Sequence, residues 1–176
     1  MKNSEKYYYL ILLLIFLLEA CAHPQEQYIK EWHGRTISFP EHMIFKKYAQ
    51  KKTDFDYQKS QYKVLVLLGG ENCISCKLHI DDWQRFICDM DSVGVDIEYI
   101  FIMNPIYQRE LYTVLKSYDF SLPVCIDNDK EFRDMNKISL NTSHVFLLDK
   151  QNRVIIVGDP IVNIHIRNLY KSYLKS

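Results

Sequence analysis

Apolar positions along the chain fall into short runs and spaced stripes, and these set the expected elements. Val64 to Leu68 is an unbroken apolar run that stops at Gly69-Gly70, as a buried strand stops at a turn. Beyond it Cys76, Ile80, Trp83, Ile87 and Met90 recur at four, three, four and three residues, one apolar stripe on a helix. Asp96 to Met103, DIEYIFIM, alternates and is rich in β-formers, so it reads as a strand. Pro105 opens a second helix with Leu111, Leu115 and Tyr118 aligned, and Leu122 to Ile126 is a short strand. Asp127 to Asn136 predicts a capped short helix with Phe132 and Met135 inward. Val145 to Leu148 and Val154 to Val157, separated by Asp149-Lys150-Gln151-Asn152, predict an antiparallel hairpin. Gly158-Asp159-Pro160 ends it, and a final helix from Asn163 to Leu174 places Ile166, Leu169, Tyr170 and Tyr173 on one side. The expected class is α/β, a central mixed β-sheet flanked by helices.

The N-terminus has a different pattern. Lysines at 2 and 6 precede an apolar run from Tyr7 to Leu18, shorter than the roughly 20 residues of a spanning helix, and small residues follow. Residues 1–20 are therefore expected to be a signal peptide, with an uncleaved signal anchor as the other reading. The end of this stretch, Leu18-Glu19-Ala20-Cys21, resembles the lipobox of bacterial lipoproteins. That resemblance implies cleavage before Cys21, a diacylglyceryl group on its sulfur, and a domain held outside the cytoplasm on a membrane tether. Residues 21–62 are polar and charged, and are expected to supply a tether and an N-terminal extension. Within them Trp32 to Phe39 predicts a short edge strand, and Lys46, Lys47, Lys51 and Lys52 a solvated face. The domain proper is expected over residues 63–176.

Twenty-two basic and 22 acidic residues balance, and the balance survives removal of the leader. No long-range field favours nucleic acid, and the aromatic residues are not interleaved with arginine as a base-stacking surface requires.

Candidate chemistry centres on Cys73-Ile74-Ser75-Cys76, a C-x-x-C directly after a strand and turn. Asn72 is a suitable N-cap, which puts Cys73 at a helix N-terminus. Free amides and the helix dipole there favour a thiolate. Cys76 lies one turn on, on the inward side. The same pair also suits half of a zinc site, a structural disulfide or two core thiols, although no second C-x-x-C or close histidine pair follows. Cys88, on the helix face of Lys77, Asp81 and Gln84, and Cys125, ending an apolar strand, read as lone thiols.

Strand, C-x-x-C helix, strand, helix, strand, short helix, hairpin and terminal helix is the order of a thioredoxin fold with an inserted strand and helix. The segments VLVLLGGENCISC, LPVCIDNDKEF and SHVFLLDKQNRVIIVGDP carry a resemblance to membrane-tethered thiol-disulfide oxidoreductases related to alkyl hydroperoxide reductases and thiol-specific antioxidant proteins. It covers Lys63 to Ser176. The resemblance implies that Cys73 attacks a substrate disulfide and Cys76 resolves the intermediate, with Ile74 and Ser75 helping to set the potential. It implies no cofactor, and partners that are extracytoplasmic protein thiols or disulfides and a membrane electron donor.

The chain departs from that pattern at three positions. Asn72 stands where an aromatic residue usually precedes the first cysteine, and Leu67 where many thioredoxins bury a carboxylate. Ser143, followed by His144, stands at the family's cis-proline. The last departure opens an alternative, in which Cys73, Cys76 and His144 form a Cu(I) or zinc site like those of copper-delivery proteins on this fold. His79 should point along another face, and the ordinary reading of His144 is a loop histidine. A redox-inert interaction domain is the third reading. Peroxidase chemistry is set aside, because the Pro and Thr of peroxiredoxins do not precede either cysteine.

Overall fold

The structure is a computed structural model, and residues 24–69, 78–105, 107–139 and 143–175 are described. The chain divides into two compact units, one ending at Trp32 and the other running from His33 to Ser176. In the first, α1 (Pro24–Trp32) begins at a proline, which has no amide to leave unpaired in a first helical turn. Glu26 and Lys30 pair across one turn at 3.9 Å, both exposed. A helix thus occupies part of the segment read as a tether. Residues 1–23, with the leader and Cys21, lie outside the described residues.

The second unit is built on a seven-stranded mixed sheet. Its strands are β1 (Phe45–Lys47), β2 (Lys51–Lys52), β3 (Tyr62–Leu68), β4 (Ile97–Met103), β5 (Val124–Ile126), β6 (His144–Leu148) and β7 (Val154–Val157). They lie in the order β2-β1-β5-β4-β3-β6-β7, with β3, β4 and β5 parallel to one another. The β6 and β7 hairpin adds antiparallel to β3, and the β1 and β2 hairpin antiparallel to β5. Strands β3 and β4 are nearly all apolar because both faces of a central parallel strand are covered; Val64 to Leu67 and Ile100 to Met103 are buried.

The helices are α2 (Ile80–Asp91), α3 (Gln108–Ser117), α4 (Glu131–Met135) and α5 (Ile164–Leu174). Crossovers β3-α2-β4 and β4-α3-β5 step the same way across the sheet, so right-handed connections put α2 and α3 on one face. The main core forms there, where Val64, Val66, Tyr99 and Phe101 meet Trp83, Phe86, Leu111, Leu115 and Tyr170. Trp83 stands edge-on to Phe86 and Phe101, with centroids 5.8 and 5.5 Å away.

The return connection from β5 to β6 runs the other way and carries α4. Phe132 of α4 meets Phe39 at 5.4 Å, and Phe39 meets Tyr57 at 4.9 Å, so residues 33–60 supply part of this layer. Asn136 fastens it: its side chain accepts from the Ser38 N–H at 2.9 Å and donates to the Ser38 carbonyl at 2.8 Å.

Several expectations change in detail. Trp32 to Phe39 is not a strand: Trp32 ends α1, Gly34 turns the chain at φ 79°, and Thr36 alone bridges to Arg153. The lysine cluster forms the β1 and β2 hairpin. The helix expected from Cys73 to Met90 is broken at His79, whose left-handed backbone (φ 43°, ψ 51°) no α-helix continues through, so α2 begins at Ile80. On α2 Phe86 is fully buried and Ile87 only half-buried. Tyr118 follows α3 and is exposed, and α5 buries Tyr170 and Leu174 while Leu169 and Tyr173 face outward. On α4 Met135 is 49% exposed and Arg133 is fully buried. The helix starts at Glu131, after the left-handed Lys130, and buries Phe132 and Arg133.

Candidate functional site

Strand β3 delivers the candidate site. It ends at Leu68, and residues 70–77 join Gly69 to Leu78 just before α2. Asn72, Cys73, Ile74, Ser75 and Cys76 all fall in that connection and lie outside the described residues. What the structure does describe is the frame around both of its ends.

On the strand side, the Gly69 N–H donates to Ser143 Oγ at 3.1 Å, tying the exit of β3 to the entry of β6. Ser143 is exposed, and the peptide bond that enters it comes from Thr142, outside the described residues. His144 begins β6 in register with Leu67. It is not a loop histidine: it is 8% exposed, with its ring 5.6 Å from that of Phe146. Burial, reinforced by the positive charge of Arg133, lowers its pKa to about 4. The imidazole is therefore neutral at physiological pH.

Arg133 itself carried no sequence signal, because a charged residue counts as polar in any periodicity. It donates from Nη2 to the Leu68 carbonyl and from Nη1 to the Ser139 carbonyl, each at 2.7 Å. Below it, Asp127 is buried and its two oxygens accept from the N–H groups of Phe132 and Arg133 at 3.1 and 3.3 Å. Asp127 thus caps α4 and places a negative charge near the guanidinium, which opposes the effect of burial on Arg133.

On the helix side, His79 stands at the head of α2 with Nδ1 3.7 Å from Asp82 Oδ2. In the loop after β7, burial raises the Asp159 pKa, and the hydrogen bond its carboxylate accepts from the Ile161 N–H at 2.9 Å opposes that. Cys88 is exposed on α2, and Cys125 is buried in β5, where burial raises its thiol pKa to about 11. Neither thiol is bonded, in keeping with their reading as lone thiols.

No family model matches the sequence, and no curated protein matches it. Solved structures do. The thioredoxin domain of a thiol-disulfide oxidoreductase from Bacteroides vulgatus aligns with a TM-score of 0.60 at 10% identity, over 81% of this chain and 97% of that one. The chain has a thioredoxin fold. A thiol:disulfide interchange protein from a Bacteroides species aligns at 0.57 and 9% identity, over 81% of this chain and 91% of the other. A cysteine-to-serine variant of peroxiredoxin Q from Xanthomonas campestris aligns at 0.58 and 11%, over 81% and 99%. Its neighbours in structure are thus thioredoxin-fold oxidoreductases and peroxiredoxins, and identities this low speak for the fold alone. Among the described residues no helix is long and apolar enough to cross a membrane.

Proposed function

We propose that the protein is an extracytoplasmic thiol-disulfide oxidoreductase, anchored through a lipid on Cys21, that exchanges disulfides with protein substrates through Cys73 and Cys76. One observation carries this reading: the C-x-x-C falls in the connection between the central parallel strand β3 and α2, at the strand end framed by Ser143 and His144. Ligands and reacting groups of open α/β sheets gather at the carboxyl ends of parallel strands.

The chemistry starts from the reduced pair. The Cys73 thiolate attacks one sulfur of a substrate disulfide; a new S–S bond forms and the other substrate sulfur leaves as a thiolate. Cys76 then loses its proton and attacks the Cys73 sulfur, releasing the second substrate thiolate. Two electrons have passed to the substrate, whose two thiolates take up protons from solvent, and a Cys73–Cys76 disulfide remains. Asn72, Ile74 and Ser75 flank the sulfurs and tune the couple, and a membrane electron donor restores the dithiol. Trapping with Cys76→Ser tests this: a mixed disulfide with envelope proteins is expected, and its persistence in Cys73→Ser/Cys76→Ser, or its absence from Cys76→Ser, refutes it.

A second reading has one observation in its favour. A neutral, buried His144 offers the lone pair that Cu(I) or zinc needs beside two thiolates. Arg133 weighs against it, since a fixed cation near His144 repels a metal ion. Stoichiometric Cu(I) binding abolished by His144→Ala supports the metal site, and binding indifferent to that change removes it.

A further inference from the structure

Alternation along β3 sends Val64 and Val66 into the core under α2 and α3, so Lys63, one position out of step, lies on the opposite face, among residues 33–60. It stands at the end of the strand remote from Leu68, roughly 17 Å away along β3. Lysine is rarely buried without a carboxylate partner, yet Lys63 is only 1% exposed. Its ammonium donates to the carbonyls of Lys150 and Asp149, at 3.2 and 3.5 Å, in the turn between β6 and β7. The Asp149 carboxylate opposes the lowering of the Lys63 pKa by burial, but it is held within its own turn. It accepts from Arg153 Nε at 2.8 Å and from the N–H groups of Gln151 and Arg153 at 2.9 Å each. An ammonium has three N–H donors, so the two carbonyls leave one to spare.

Lys63 lines a cavity of about 520 Å³, within the size range of small-molecule sites. Phe39 and Tyr57, with rings 4.9 Å apart, give the cavity an aromatic wall. Gln58 and the exposed Lys150 add polar groups, and the lining contains two lysines and no carboxylate. The Lys150 charge reaches Lys63 and adds to the lowering of its pKa, so two cations repel one another at one cavity. A lysine placed only to tie down a turn needs neither a cavity beside it nor a second cation.

We propose that this cavity binds a small carboxylic acid with an aromatic or aliphatic body, the carboxylate taken by the ammonium groups of Lys63 and Lys150 and the body lying against Phe39 and Tyr57. A carboxylate fits better than phosphate, because its charge is confined to one end and the aromatic wall would strip water from a wholly polar ion. The site goes beyond disulfide exchange and does not depend on it.

Equilibrium dialysis of radiolabelled benzoate against the full chain in detergent at pH 7 tests this, with the detergent alone subtracted. Saturable binding of one equivalent is expected, with Kd below about 1 mM. Benzyl alcohol, which has the ring without the charge, and inorganic phosphate, which has charge without the ring, should compete at least about tenfold more weakly. Lys63→Met removes the buried charge at similar volume and is expected to abolish saturable binding, with thermal unfolding recorded to show that the variant folds. Lys150→Glu changes an exposed side chain and should weaken benzoate about tenfold or more. If Lys63→Met does not fold, Lys150→Glu decides. The proposal is overturned by a wild-type protein without saturable benzoate binding, by benzyl alcohol or phosphate competing as well as benzoate, or by either variant folding and binding benzoate like wild type.

Discussion

Ser143 Oγ accepts a hydrogen bond from the Gly69 N–H at 3.1 Å, joining the residue before β6 to the residue after β3. The Ser143 side chain thus holds the exit of the strand that leads into the C-x-x-C. Gly69 is buried, so its amide depends on such partners. Ser143→Ala is expected to cost about 1 kcal/mol and to speed hydrogen exchange at Gly69 relative to the interior of β3. Unchanged exchange at Gly69 contradicts this account of the loop.

His144 makes stability depend on acid in a defined window. Its pKa is about 4 in the fold against 6.5 for an ordinary histidine, so between these values the unfolded chain binds more protons than the folded one. The His144 contribution is fully present above about pH 6.5 and is lost as pH falls toward 4, in total roughly 3 kcal/mol. Urea midpoints at pH 7 and pH 4.5 should differ less in His144→Gln than in wild type. An equal pH dependence in the two proteins rules out a buried neutral imidazole.

Cys125 and Cys88 should differ sharply in reactivity. The Cys125 thiol is buried with its pKa raised to about 11, while Cys88 is exposed on α2. In a Cys73→Ser/Cys76→Ser background at pH 8, Cys125 should alkylate at least about 100-fold more slowly than an ordinary exposed thiol and become reactive only in denaturant. Labelling at Cys125 as fast as at Cys88 in the native protein contradicts the position assigned to β5.

Gly158 ends the closing hairpin with φ 134°, where side chains are rarely tolerated, and a Cβ there comes within 3.0 Å of Ile166 Cδ1. Gly158→Ala is expected to destabilise by about 1 to 3 kcal/mol, from backbone strain together with pressure on α5. Thermal unfolding checks this, and a variant as stable as wild type argues against the tight approach of α5 to this turn.

Much of the architecture was legible along the chain because hydrophobic spacing reports which face of an element leaves water. Val64 to Leu68, Ile97 to Met103 and the hairpin from Val145 to Val157 lie where their patterns put them, and the mixed sheet with flanking helices follows from their order. The place of the C-x-x-C after β3 is likewise a fact of sequence. What spacing does not report is backbone handedness at a single residue or the burial of a charge. The short helix after a left-handed Lys130 buries Arg133 and leaves Met135 exposed, and a left-handed His79 precedes the start of α2 at Ile80. Strand pairing then took His144 out of solvent by setting it opposite Leu67. Periodicity names the strand and the cysteines; only the packing of α4 against the end of β3 brings a guanidinium and a neutral imidazole to the exit of that strand, since that meeting depends on contacts between residues far apart in the chain.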